Sequence, residues 1–203
     1  MWVGIVSIIM LFAGLTSGYV VIQADTFWVK SDLPTMFWYS SAIIIASSIT
    51  MIYAQSSIKK GNKSGLKIGL TLTFLLGLGF AGSQYASWKE LISEGKFFSG
   101  TISAIKGEYG EDYIIVAQGK RLDYEKGNYY WPEDRDRIKP LNEKIEDSFN
   151  TSSSFLYVLS GVHLIHMLGG LVFLLVVLVR SYNDHYSSEN TMGVELCSIY
   201  WHF

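Results

Sequence analysis

Residues 154–180, SFLYVLSGVHLIHMLGGLVFLLVVLVR, carry no charge before the final arginine. As an α-helix, at about 1.5 Å per residue, the stretch reaches roughly 40 Å, enough to cross a hydrocarbon core about 30 Å thick. A run of this length and apolarity belongs in a lipid bilayer, and two histidines, His163 and His166, ride inside it. Composition agrees. Of 203 residues, 49% are hydrophobic and only 17% charged, and the apolar residues fall in blocks, not at amphipathic spacing. The chain is therefore expected to be an integral membrane protein. A net charge of -2 gives no reason to expect a nucleic-acid partner, and the single Cys197 cannot close an intramolecular disulfide.

The other blocks follow in order. Residues 2 to about 24 begin apolar at once, without a basic leader or a small-residue cleavage site, and read as a first crossing and not as a removable signal. The connection DTFWVKSDLP reads as a short loop with Phe27 and Trp28 as interfacial anchors. A second crossing runs from 34 to 54, with Ser47, Ser48 and Thr50 inside it, and a third from 66 to about 88. Between them lies QSSIKKGNKSGLK, which holds Lys59, Lys60, Lys63 and Lys67 and no acid. Short basic loops stay cytoplasmic, so the N-terminus is expected inside.

Residues 89–150 change character: charges are dense and no apolar run can span. GTISAI and DYIIVAQGKRLDY have the β-branched and aromatic content of a small strand pair, and WPEDRDRIKPLNEKIEDSF that of a loop with a short surface helix. Long loops translocate largely regardless of charge, so this insert is expected outside. The crossing at 154–180 then returns inward. Eleven residues from Gly193 onward, GVELCSIYWHF, open a further apolar run too short to span. The expected architecture is thus an all-α membrane protein of about five transmembrane helices, the fifth truncated. Three crossings fall in 1–88, a non-helical or mixed outside insert in 89–150, and the fourth crossing with the start of the fifth in 151–203.

The polar groups inside these helices carry the functional question. His163 and His166, three apart, share one helical face with Ser160 and with Gly169 or Gly170. Polar groups at membrane depth are costly, so haem ligation, metal binding and a proton relay stand beside a neutral pair hydrogen-bonded to neighbouring helices. Two histidines at i, i+3 cannot ligate both faces of one haem. Arg180, fourteen residues beyond His166, stands about 21 Å farther along the helix, where it can snorkel to a lipid phosphate or pair with Glu195. Glu195 and His202, seven apart, either form a relay or pack between helices. No catalytic triad, phosphate-cradling glycine loop or cysteine-histidine metal spacing is present.

GVHLIHMLGG at 161–170, Arg180, and then GVELCSIYWHF from 193 resemble the signature of haem-copper oxidase subunit III. That family shows Gly-x-His-x-x-His in its penultimate helix and Glu followed by Tyr-Trp-His-Phe at the start of its last. SSIT at 47–50, LGLGFAGSQ at 76–84 and VSIIMLF at 6–12 are similar to its other helices, in the five-helix bacterial form. Three departures stand out. The insert replaces a usually short connection, Ile8 follows Ser7 where many members have a glutamate, and the family continues past Trp-His-Phe through a complete last helix.

The resemblance implies an accessory, non-catalytic core subunit of cytochrome c oxidase in the bacterial inner membrane. Such a subunit sits beside catalytic subunit I and the other oxidase subunits, binds structural phospholipid and supports proton uptake. It implies no cofactor in this chain, with haem and copper in partner subunits. It implies that Arg180 meets a lipid phosphate and that His163, His166, Glu195 and His202 hold structural polar positions. The insert is a candidate contact for an electron-donor complex. The rival readings are subunit III of a quinol oxidase and a membrane haem protein ligated through His163 and His166.

Overall fold

The computed structural model describes residues 2–25 and 27–202. Among them, four helices are long and apolar enough to cross a membrane: Val3–Ala24, Thr35–Lys59, Lys63–Ser93 and Thr151–Tyr182. They belong to α1 (Trp2–Asp25), α2 (Thr35–Lys59), α3 (Lys63–Ser93) and α5 (Thr151–Tyr182), with a short α4 (Asn142–Glu146) and a final α6 (Met192–His202). The chain is a helical membrane protein, and α6 begins where the fifth helix is expected. Phe203, the last residue of the terminal motif, lies outside the described residues.

Helix ends are set by local chemistry. Asn62 starts α3, its Oδ1 accepting from the Gly65 N–H at 2.9 Å. Asn150, only 1% exposed, starts α5 by accepting from Ser153 N–H at 3.3 Å and Ser152 Oγ at 2.9 Å. Such side-chain oxygens satisfy N–H groups that lack intrahelical partners. α3 stops at Gly95, where a φ of +77° and an Ala104 carbonyl occupying the place a Cβ would take admit only glycine.

By contacts the chain forms two compact units, residues 1–34 with 88–160, and residues 35–87 with 161–203. In the first, Trp28–Ser31 is a strand, β1, and not the loop expected from its composition. It pairs antiparallel with β2 (Tyr113–Ala117), Trp28 opposite Val116 and Ser31 opposite Tyr113, and β2 pairs with β3 (Lys120–Arg121). Trp28 is 2% exposed, so it is a core residue and not an interfacial anchor. β4 (Asp123–Glu125) and β5 (Asn128–Tyr130) make a separate hairpin. Both hairpins turn on two residues at positive φ, Gln118–Gly119 and Lys126–Gly127, the primed geometry that matches strand twist. GTISAI does not form a strand: Thr101 makes an isolated bridge to Phe149, and Ile102–Ala104 is a 3-10 turn. Val29, Ile102, Ile115, Leu122, Leu141 and Ile145 close a small apolar core.

In the second unit, Met51, Ala54, Leu66, Leu70, Met167, Leu174, Val194 and Trp201 from α2, α3, α5 and α6 pack into one cluster. Close approach of α2 and α3 is carried by Gly69, where a Cβ would lie 2.7 Å from Ala54 Cβ and 2.9 Å from its Cα. Small residues do this work in lipid, where no hydrophobic force draws helices together. One turn from that contact on each helix, the Thr50 and Thr73 hydroxyls meet at 2.8 Å.

Candidate functional site

The histidine face of α5 lies within the second unit. The His163 and His166 rings stand 6.4 Å apart and nearly parallel, at 29°. His163 meets the edge of Phe80 from α3 at 5.5 Å, and His166 stacks on Tyr200 from α6 at 4.6 Å and 24°. The Tyr200 hydroxyl donates to the His166 carbonyl at 3.4 Å. Room for that ring comes from the two glycines that follow. A Cβ on Gly169 would sit 2.9 Å from the Tyr200 hydroxyl, and one on Gly170 would sit 3.3 Å from the Tyr200 ring and 3.4 Å from Trp201. The shared face read from the sequence is thus an aromatic seam between α3, α5 and α6.

Trp201 and His202 fasten α6 to α2. Trp201 Nε1 donates to Ser47 Oγ at 3.2 Å, in a buried setting. His202 Nδ1 donates to the Ser198 carbonyl at 2.7 Å, and its Nε2 lies 3.4 Å from the Ser48 carbonyl. Ser198 Oγ in turn donates to Gln55 Oε1 at 3.2 Å. The serines inside α2 therefore act as acceptors for α6 as well as bonding their own helix, as Ser47 does to Ile44 at 2.8 Å.

Neither Arg180 to Glu195 pairing nor a Glu195 to His202 relay is present among the described residues. Glu195 pairs with Lys59 at 3.1 Å and accepts from Thr191 Oγ1 at 3.3 Å, while His202 Nδ1 is committed to the Ser198 carbonyl. In the sequence Lys59 reads only as part of a basic loop. It emerges from the end of α2 beside the start of α6 and meets the carboxylate first. Arg180 is exposed in the last turn of α5 and has no ion pair among the described residues. The turn after it is held by Asp184, which faces Lys67 at 3.2 Å and Lys63 at 3.6 Å. Those ammonium groups hold its carboxyl below the usual carboxylate range, the Lys67 hydrogen bond first.

Among the described residues, no three His, Cys, Asp or Glu side chains gather closely enough to hold a metal ion. The face is built for helix contact. It has aromatic surfaces, Tyr200 and His202 donors that meet carbonyls, a Trp201 donor that meets the Ser47 hydroxyl, and glycines that leave room for a tyrosine and a tryptophan. Ser47 bonds both its own helix and a neighbouring one, and Tyr200, quoted in the terminal motif, has a stacking partner that the sequence does not assign. The signal for Tyr200 is the Gly169–Gly170 pair, two missing side chains that leave space for a ring.

Residues 141–203 match the family model described as cytochrome c oxidase subunit III. That range takes in α5, Arg180 and α6. Cytochrome c oxidase subunit 3 of Osphranter robustus is 21% identical over 164 residues, 81% of this chain and 43% of that protein. The subunit of Squalus acanthias is 26% identical with the same coverage. That of Spodoptera frugiperda is 21% identical and is covered over 76% of its length. The match thus spans less than half the length of the first two relatives. The resemblance carried by the two terminal motifs is borne out by these matches.

Proposed function

We propose, from the premise that this chain is a relative of the haem-copper oxidase subunit III family, that it is an accessory core subunit of a membrane terminal oxidase. It stabilises the catalytic subunit, while the haem and copper chemistry resides in partner polypeptides. The observation that supports this best is the pairing of the two motifs in space. The His166 imidazole of the penultimate helix lies on the Tyr200 ring of the last at 4.6 Å, and His202 Nδ1 is spent on the Ser198 carbonyl. An imidazole stacked on a ring of the next helix supports helix contact, and the His202 bond, to Ser198 of its own helix, leaves its Nδ1 engaged by protein.

Arg180 supports the second part of the reading. It is exposed at the end of a membrane-length helix, and its planar fork suits a phospholipid phosphate. The basic loop beside α2 and α3 favours a cytoplasmic N-terminus and, with it, an outside insert, in a bacterial inner membrane. Electron donation by cytochrome c or by a quinol is set by whichever partner carries the donor-binding domain. Contact of the insert with a donor complex, and support of proton uptake, belong to the same proposal. Purification of a tagged chain in mild detergent tests it. A haem- and copper-bearing membrane polypeptide is expected to co-purify, and recovery of a lone, functional monomer would overturn the proposal.

A further inference from the structure

In the sheet β1–β2–β3 of the first unit, only β2 is paired on both sides, so β1 has a free edge. The bonds of β2 tell which groups of β1 point outward. The Leu122 N–H donates to the Ile115 carbonyl at 3.0 Å, so the backbone of Ile115 faces β3. Val29, opposite Ile115 in the other ladder, therefore sits at a non-hydrogen-bonded position, and such positions alternate along an antiparallel pair. Trp28 and Lys30 bond β2, while the N–H and C=O groups of Val29 and Ser31 point away from it. Among the described residues these outward groups have no hydrogen-bond partner.

The edge is deeply set. Val29 is 5% exposed, and backbone groups so enclosed are almost always paired. Beside them lies a groove of about 400 Å³, and every residue from 28 to 34 lines it. A groove over one face of a strand would meet alternate residues. One that meets them all runs along the edge. Tyr19 of α1, Leu91 of α3 and Leu156 of α5 stand on its other wall. Its Asp32 end adjoins a depression with three acids, Asp32, Glu111 and Asp112, against one lysine, Lys30. Neither Asp32 nor Glu111 has an ion pair among the described residues.

Donors and acceptors that alternate at peptide spacing are matched by another peptide, whereas a phosphate offers acceptors alone. We propose that β1 receives a fourth strand, an extended segment of a neighbouring polypeptide. The segment pairs through its main chain with Val29 and Ser31, over the four residues of β1, and carries a lysine or arginine that reaches Asp32 and Glu111. Strand addition of this kind takes affinity from main-chain bonds and selectivity from the side chains beside them, and it covers an edge that would otherwise invite aggregation. The inference rests on the accessory-subunit reading only in taking the neighbour from the same assembly.

The test is amide hydrogen exchange, resolved to single residues, of the detergent-purified assembly and of the same chain stripped of its partners. The Val29 and Ser31 amides should exchange at least about tenfold more slowly in the assembly, while Trp28 and Lys30, bonded to β2, should be slow in both. Ser31→Pro removes an outward N–H that β2 does not use, at an edge where proline is tolerated. It should abolish the Val29 protection in the assembly and leave the melting temperature of the stripped chain unchanged. Asp32→Lys, an exposed change, should weaken the protection at low salt and have little effect at high salt. Equal exchange of Val29 and Ser31 in the two samples would overturn the proposal. So would protection that leaves with the phospholipid while the partners stay, or protection supplied by a second copy of this chain alone. Redox subunits that co-purify while Val29 and Ser31 exchange freely would defeat this inference and leave the accessory-subunit reading standing.

Discussion

Substitution of Gly69 by alanine probes the closest helix contact in the second unit. An added Cβ would stand 2.7 Å from Ala54 Cβ, 2.9 Å from its Cα and 3.0 Å from its N. Carbon contacts are optimal at about 3.5–4.0 Å, and two of these neighbours are backbone, which cannot swing aside. The helices α2 and α3 must part by roughly 0.7 Å or more to relieve the clash. The Thr50 to Thr73 hydrogen bond, now 2.8 Å, then stretches to the limit of bonding. Overpacking of this kind costs about 1–3 kcal/mol, and an interhelical hydrogen bond in lipid contributes about 0.6 kcal/mol. Alanine returns up to about 1 kcal/mol through helix propensity. The net expectation is a loss of about 0.5–2.5 kcal/mol, read as a lowered midpoint in denaturant titration of the protein in mixed micelles. Gly79 on the same helix is the control: a Cβ added there would meet nothing within 4 Å, and Gly79→Ala should be neutral or mildly stabilising. Equal stability of the two variants would refute the close-packing account.

Other outcomes follow from the same structure. Trp201→Phe removes the donor to Ser47 Oγ while keeping an aromatic in the core, and should cost about 0.6–1.7 kcal/mol in the same titration. Arg180→Gln should lower the retention of phospholipid by the purified protein without changing its melting temperature, because the side chain is exposed and has no ion pair among the described residues. In the insert, burial raises the Tyr129 and Tyr109 hydroxyls above their ordinary value. Their neutral form is favoured in the folded state, so the stability they contribute is fully present below about pH 10. It is lost as pH rises through the folded values, and absorbance at the tyrosinate band should show a late, cooperative step. Two tyrosines titrating at the ordinary value in the folded protein would contradict this.

Much of the membrane part is legible in the sequence because lipid imposes a blunt rule. A helix must satisfy its own backbone, and about twenty apolar residues announce it. Hence the four spans, and hence the common face of His163 and His166, which needs only helical periodicity. What periodicity cannot supply is the partner across a contact. Arg180 and Glu195 look matched along the chain, yet Lys59, from a different helix, holds the carboxylate. The strand at 28–31 is invisible for the same reason. Its residues become a strand only through Tyr113–Ala117, far along the chain. The Gln118–Gly119 turn, by contrast, is a local signal, and DYIIVAQGKRLDY pairs with itself across it, while GTISAI stays outside any strand. Lys96 reads as one charge among many in the insert, and its burial depends on the helix ends that surround it.

The central claim is that this chain shapes and steadies a membrane assembly whose redox centres belong to other polypeptides. The most direct measurement is the visible spectrum and metal content of the purified assembly before and after this chain is stripped from it. All haem absorbance and copper should remain with the partner fraction, and the isolated chain should be colourless. A Soret band or stoichiometric iron or copper travelling with the isolated chain, lost on His163→Ala or His166→Ala, would contradict the account.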